Sequence, residues 1–273
     1  MNSDLIITTW NKGNINEIYH GLEIKNWAPW LAASLTSLAG RALVFQKGQI
    51  AVCQKDMIVA TISTNQINWN GEKSSLPTWD EVAGDPTTYE NTFVSSGNTI
   101  ALMSANVHPE FQGIGFGPML IKSVQDMAKK IEGIQHIVGS FRPTGFGSYK
   151  SKIGKDLPLD QYYKIPASQE QFKPIDKEID WSSWGGNPPI DPWFRSLARN
   201  GMTPIVVDTN AMTVPVTAAE FELFKSTHKP NMWKIIEGGV WLCGEVGNFY
   251  PNPDGSYTYK ESNLWGELPL ANI

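Results

Sequence analysis

Hydrophobic and polar positions along the chain change period most clearly between residues 99 and 131. Residues 99–107 form an apolar strand pattern. Leu120, Ile121, Val124, Met127, Ala128 and Ile131 then recur at three- and four-residue spacing, which predicts a helix. A glycine-rich turn, residues 112–117, joins the two, and Pro118 suits a first-turn helix position. Upstream, residues 5–9 read as a short strand and 15–22 as a helical turn. Residues 28–39 read as a helix with Leu31, Leu35 and Leu38 on one stripe and Gly40 as its stop. Residues 49–54 and 57–68 read as two strands of a hairpin around Lys55 and Asp56.

Downstream, residues 136–141 predict a strand, followed by a long polar stretch to about Pro189. Its aromatics (Tyr162, Tyr163, Phe172, Trp181, Trp184) argue against disorder, so it reads as an insertion that folds over a site. Asp191 is an N-cap candidate, Pro192 a first-turn residue and Gly201 a helix stop. Residues 204–208 then read as a strand and 221–227 as a short helix. Residues 240–246 and 256–261 read as strands joined across a strong turn signal at 252–255.

Composition narrows the function. The 273 residues are 41% hydrophobic and carry a net charge of −5 without a basic run. Neither a nucleic-acid nor a membrane-surface partner is expected from that balance. The first ten residues lack the charged and apolar regions of a secretory signal, and no apolar run approaches a membrane span, so a cytoplasmic location is expected. Cys53 and Cys243 lie far apart and read as buried free thiols. His20, His108, His136 and His228 show no metal-ligand spacing, so no metal is expected. Eleven tryptophans suggest an aromatic-lined core or pocket.

A strand, a glycine turn and a helix start together present backbone N–H groups to an anion, and the helix dipole adds about half a positive charge. The turn lacks the Lys-Ser/Thr pair of a P-loop. It also lacks the GxGxxG spacing and following acidic residue of a dinucleotide site. A connection without a ligand remains the bland alternative. The string VHPEFQGIGFG, residues 107–117, resembles the acyl-CoA motif [Q/R]-x-x-G-x-[G/A] of the GNAT superfamily of N-acyltransferases, with Val107 and Pro109 matching its lead-in.

This resemblance covers about residues 50–208 and implies an α/β fold with a mixed, mainly antiparallel central sheet flanked by helices. One domain over 1–273 is expected: a core at about 5–213, an insertion at about 142–190 before the last helix, and a hairpin-like C-terminal extension at about 214–273. Trp79 with its acidic neighbours and the Asp-Pro-x-x-Arg helix most resemble a subgroup of stand-alone, nitrilase-linked and polyketide-synthase loading domains.

The resemblance implies acetyl-CoA or another acyl-CoA as co-substrate. Its pyrophosphate would lie on the backbone amides of Gly113, Ile114, Gly115, Phe116 and Gly117, with Gln112 at the motif's polar position. Its pantetheine arm would run beside the strand end at Asn106 and Val107. Transfer to a primary amine of a small molecule needs a proton acceptor, and the candidates are Asp80, Glu81 and Glu90. Trp79, Glu81 and Arg142 are the candidate substrate wall, where Asp80, Glu81, Asp85 and Glu90 would attract a cation. Family members carry a tyrosine on the last helix that protonates the departing thiolate. Counting back from Gly201 puts Leu197 there, so Tyr149 is the candidate substitute, with Thr144 or Ser140 as others. His108 reads as a surface loop residue. Two alternatives stand beside amine acylation: transfer to a carrier-protein thiol or malonyl-CoA decarboxylation, and a degenerate fold that binds CoA without turnover.

Overall fold

The computed structural model describes residues 5–84 and 92–270. The chain divides into two compact units, Met1–Gly139 with Glu267–Ile273, and Ser140–Gly266.

Unit one is built on a sheet in the order β1 (Leu5–Thr9), β2 (Gln49–Gln54), β3 (Met57–Ile67), β4 (Thr99–Val107) and β5, a strand that spans His136–Phe141 and begins in this unit. The first four pair antiparallel; β4 and β5 pair parallel. A mixed, mainly antiparallel sheet flanked by helices is therefore observed, as the sequence resemblance implied. The expected hairpin around Lys55 is present, with Lys55 itself at φ 55° in the left-handed region that so tight a turn requires. Strand β3 is buried on both faces from Ile58 to Ile67.

The helices of this unit are α1 (Ile15–Ile18), a π-helical turn (Tyr19–Glu23) that runs on into α2 (Ile24–Asn26), α3 (Leu35–Val44), α4 (Trp79–Ala83) and α5 (Phe116–Ala128). Ile15, Ile18 and Leu22 join Trp10, Leu38, Ala42, Ala51 and Ile58 in one apolar cluster. Full burial of each large side chain there is worth about 1.5–3 kcal/mol. Helix α5 buries Leu120, Ile121, Val124 and Ala128 and packs on β2, β3 and β4.

The helix expected over 28–39 is corrected. A single turn follows Ala28, whose carbonyl accepts from Leu31 and Ala32. The helix proper is α3, which passes through Gly40. Ser34 decides its start, because its hydroxyl accepts the Ser37 N–H and satisfies a donor that no turn of helix can.

Unit two contains α6 (Phe146–Ile153), α7 (Leu159–Tyr162), α8 (Pro192–Arg199), the long strand β6 (Thr203–Val216) and α9 (Ala218–Thr227). Strands β7 (Lys234–Ile235), β8 (Trp241–Leu242), β9 (Asn248–Pro251) and β10 (Tyr257–Leu268) follow, in the antiparallel order β10-β9-β8-β7 with β6 also on β10. The expected strand over 240–246 is cut to Trp241–Leu242. Gly244 turns there at φ 75°, where a Cβ would lie 2.8 Å from the Met232 side chain. The strands expected over 204–208 and 256–261 are each much longer. The polar stretch is ordered around Tyr162, Trp181, Trp184 and Phe194, all buried. Asp191 caps α8, its Oδ1 accepting from Trp193 and Phe194.

Among the described residues no helix is long and apolar enough to cross a membrane.

Candidate functional site

Strand β4 carries a bulge. Ser63 pairs with Ser104, but Thr64 pairs with Leu102, so Met103 is the extra residue. The ladder with β5 runs from Thr99↔His136 to Leu102↔Gly139 and stops at that same place. The bulge turns the Met103 carbonyl onto the indole of Trp79, whose Nε1–H donates to it at 2.7 Å. Beyond the bulge, residues 104–107 lead into the glycine turn.

That turn is made by conformation rather than by side chains. Gly113 sits at φ 79° and Gly115 at φ 106°, and no atom lies within 4 Å of the Cβ either would carry. Gly115 is also the N-cap of α5, with no side chain on the first N–H groups, which have no intrahelical acceptor. The first turn of α5 holds no acidic residue. The turn is thus an exposed, uncapped positive helix end approached by bare backbone, which suits a phosphate. Ile114 stands exposed at its tip, whereas Phe116 is buried against the ring of Phe111.

Gln112 ties the turn down. Its Nε2 donates to Asn26 Oδ1 at 2.9 Å and to the Val107 carbonyl at 3.2 Å. The Asn106 side chain is engaged within the protein: its Nδ2 donates to Glu23 Oε2 at 2.7 Å and its Oδ1 accepts from Trp27 Nε1 at 2.8 Å. Glu23 is only 2% exposed. Burial pushes its carboxyl up, against the nearby Arg41 charge and the hydrogen bonds from the Ala33 N–H and Asn106. Arg41, also buried, donates to Ser104 Oγ at 3.3 Å. Neither Glu23, Arg41 nor Trp27 stands out in the sequence. Glu23 follows directly on the apolar stripe of Ile15, Ile18 and Leu22, and nothing in that spacing marks a buried carboxylate.

The acidic segment is helical. Thr78 caps α4, and Glu81 closes a capping box by accepting the Thr78 N–H and hydroxyl, at 2.7 and 3.1 Å. Asp80 is half-buried on the same helix. Asp85 and Glu90 lie outside the described residues. His108 caps the turn Pro109–Phe111 through Nδ1 and approaches Lys25 at 3.5 Å.

The remaining candidates belong to unit two. Arg142 is held by Glu245 and Glu261, whose charges keep its guanidinium protonated despite burial. Glu245 also accepts from His228 and Lys229. Thr144 is exposed at the turn before α6, and the following Gly145 N–H donates to Asp191 Oδ2 at 2.7 Å. Tyr149 is half-buried, with its ring 5.4 Å from that of Tyr162. Leu197 is fully buried in α8. Lys150, which no sequence signal singles out, is buried, donating to the Val246 carbonyl and Asn248.

No protein-family profile matches the chain, and no curated protein matches it significantly in sequence. Solved structures do match. The GphF GNAT-like decarboxylase in complex with isobutyryl-CoA superposes with a TM-score of 0.60 at 15% identity, over 97% of this chain and 100% of that one. The loading GNATL domain of CurA from Lyngbya majuscula gives 0.56 at 14% identity over 98% of each chain. A malonyl-CoA decarboxylase from Agrobacterium vitis gives 0.50 at 15% identity over 76% of this chain and 55% of that one. By these likenesses the chain has the GNAT fold.

Proposed function

We propose that this chain is an acyl-CoA-dependent acyltransferase that moves an acyl group from the CoA thioester to a primary amine of a small molecule. The observation that carries the reading is the continuous run from the Met103 bulge through the glycine turn to the uncapped start of α5. The pyrophosphate is held by N–H groups of residues 113–117 and by the helix dipole. The pantetheine arm runs beside the backbone of Asn106 and Val107. The thioester carbonyl lies against β4 after the bulge, where one N–H aimed at the developing oxyanion is worth about 3 kcal/mol. Attack by the neutral amine forms the C–N bond and breaks the C–S bond. One proton leaves the nitrogen for a carboxylate, with Asp80 and Glu90 as the candidates, and CoA thiolate takes up another, with Tyr149 or Thr144 as its donor. Holding the amine against the thioester supplies much of the rate. Trp79, Glu81 and Arg142 are the proposed acceptor contacts.

A second reading is acyl transfer to a carrier-protein thiol, or malonyl-CoA decarboxylation. It is favoured by the full-length likeness to a loading GNATL domain and a GNAT-like decarboxylase. It is opposed by Leu197: the resemblance to loading domains implies a histidine near that place on the last helix, and this chain has a buried leucine there.

A thiol-release assay with acetyl-CoA against a panel of amines separates the two. Release that depends on one amine class supports amine acylation. Acetyl-CoA appearing from malonyl-CoA by mass spectrometry, with no amine-dependent release, supports the second reading. Failure to bind CoA by calorimetry ends both.

A further inference from the structure

Three polar side chains of the segment that ends the π-helical turn grip the strand and turn just described. Glu23 holds Asn106, Trp27 holds the other end of the same amide, and Asn26 holds Gln112. Asn26 is itself fixed by its Nδ2, which donates to the Leu22 carbonyl at 2.7 Å. Glu23 is anchored on its far oxygen by the Ala33 N–H at 2.8 Å. A π-helical turn widens the ring of backbone hydrogen bonds and is frequent at functional sites. Here it ends on Glu23. An apolar residue at position 23 would fill this space without desolvating a charge, whereas a carboxylate taken out of water must be compensated by its partners.

We infer that Glu23 is a positioning residue: through Asn106 it sets where the end of β4 and the glycine turn stand, and so where the thioester carbonyl meets the strand. Glu23 touches neither CoA nor acceptor; it acts through the amide that both it and Trp27 fix. Arg41 completes the arrangement: its nearby charge opposes the effect of burial on Glu23, and it holds Ser104, two residues back on β4. The role in catalysis rests on the acyl-transfer reading, whereas the mechanical role does not.

The pair can be exchanged. Glu23→Gln alone sets an amide NH2 against the Asn106 NH2, and Asn106→Asp alone sets two carboxylates together. The double variant, Glu23→Gln with Asn106→Asp, restores all three bonds, with donor and acceptor reversed only between positions 23 and 106. The new amide at position 23 donates to the new carboxylate at position 106. That carboxylate still accepts from Trp27, and the amide oxygen still accepts from the Ala33 N–H. Hydrogen exchange on the CoA-free protein reads the mechanical role without substrate. Each single variant is expected to speed exchange in residues 103–113 about tenfold or more while β2 and β3 stay protected, and the double variant to return it toward wild type. In turnover, the singles lower kcat by about 10- to 100-fold with little change in KM for acyl-CoA, and the double recovers it. Unchanged exchange in the singles, equal loosening of β2 and β3, or a double variant as loose as the singles overturns the inference. Wild-type protein that binds no CoA overturns the acyl-transfer reading instead, and the exchange result still decides the role of Glu23.

Discussion

The indole N–H of Trp79 and the main-chain carbonyl of Met103 meet at 2.7 Å, at the residue where β4 steps out of register with β3. A bulge removes a carbonyl from its ladder, and a carbonyl left without a donor in a buried strand is costly. Trp79 meets that need from α4, so the shape of β4 at the proposed thioester site depends on a helix residue 24 positions earlier in the chain.

Trp79→Phe keeps most of the ring and removes the donor. It is expected to cost about 1–3 kcal/mol, the usual penalty for orphaning a buried polar group. Urea unfolding measures this, and a wild-type midpoint would mean that the indole contributes packing alone.

Gly115→Ala tests the turn. With φ at 106° and no atom within 4 Å of the new Cβ, the cost is backbone strain, about 1–2 kcal/mol. If the turn relaxes away from φ 106°, the N–H groups no longer converge. CoA affinity by calorimetry should then fall about tenfold or more, the equivalent of about 1.4 kcal/mol. Equal affinity for CoA in the variant would remove the turn from the binding site.

Asp191→Ala removes the acceptor of four groups: the N–H of Trp193, Phe194 and Gly145, and the Tyr162 hydroxyl. Each buried orphan costs about 1–3 kcal/mol, so a loss of more than about 3 kcal/mol is expected in chemical unfolding. Asp191→Asn, which keeps an oxygen for the helix cap, should recover part of it.

Stability should depend on pH through Glu245. Burial alone would raise its carboxyl, but the His228 hydrogen bond and the charges of Arg142 and Lys229 outweigh it and hold it well below the usual range. A carboxyl lowered on folding adds stability that is fully present above its unfolded value of about 4.3, and that is lost as pH falls through its folded value. Urea midpoints measured from about pH 7 to pH 3 should therefore fall below about pH 4 in wild type and much less in Glu245→Gln. Parallel acid branches would show that Glu245 is not a source of the slope.

Local signals carried far in this chain. The change of period at residues 99–131 marked β4 and α5 because β4 is a continuous apolar run, buried on both faces over its first five residues, whereas α5 buries one face at the helical repeat. The Asp191-Pro192 pair marked the start of α8 because capping is a matter between neighbours in sequence. The glycines marked the turn, since Gly113 and Gly115 take φ values that other residues avoid. Where two local signals competed, the apolar stripe misled. Leu31, Leu35 and Leu38 suggested a helix ending at Gly40, but the cap at Ser34 places its start at Leu35.

The amino-acid sequence alone thus dictated the order of strand, glycine turn and helix, and the backbone geometry of the turn, because those depend on side-chain period and on φ freedom at single residues. The folded chain was needed to show that Glu23 is buried on Asn106, that Trp79 closes the bulge at Met103, and that Arg142 is held between Glu245 and Glu261. These partners stand 83, 24, 103 and 119 residues apart. The reason is physical: whether a charge is desolvated, and which partners offset that cost, depends on which distant segments fold beside it.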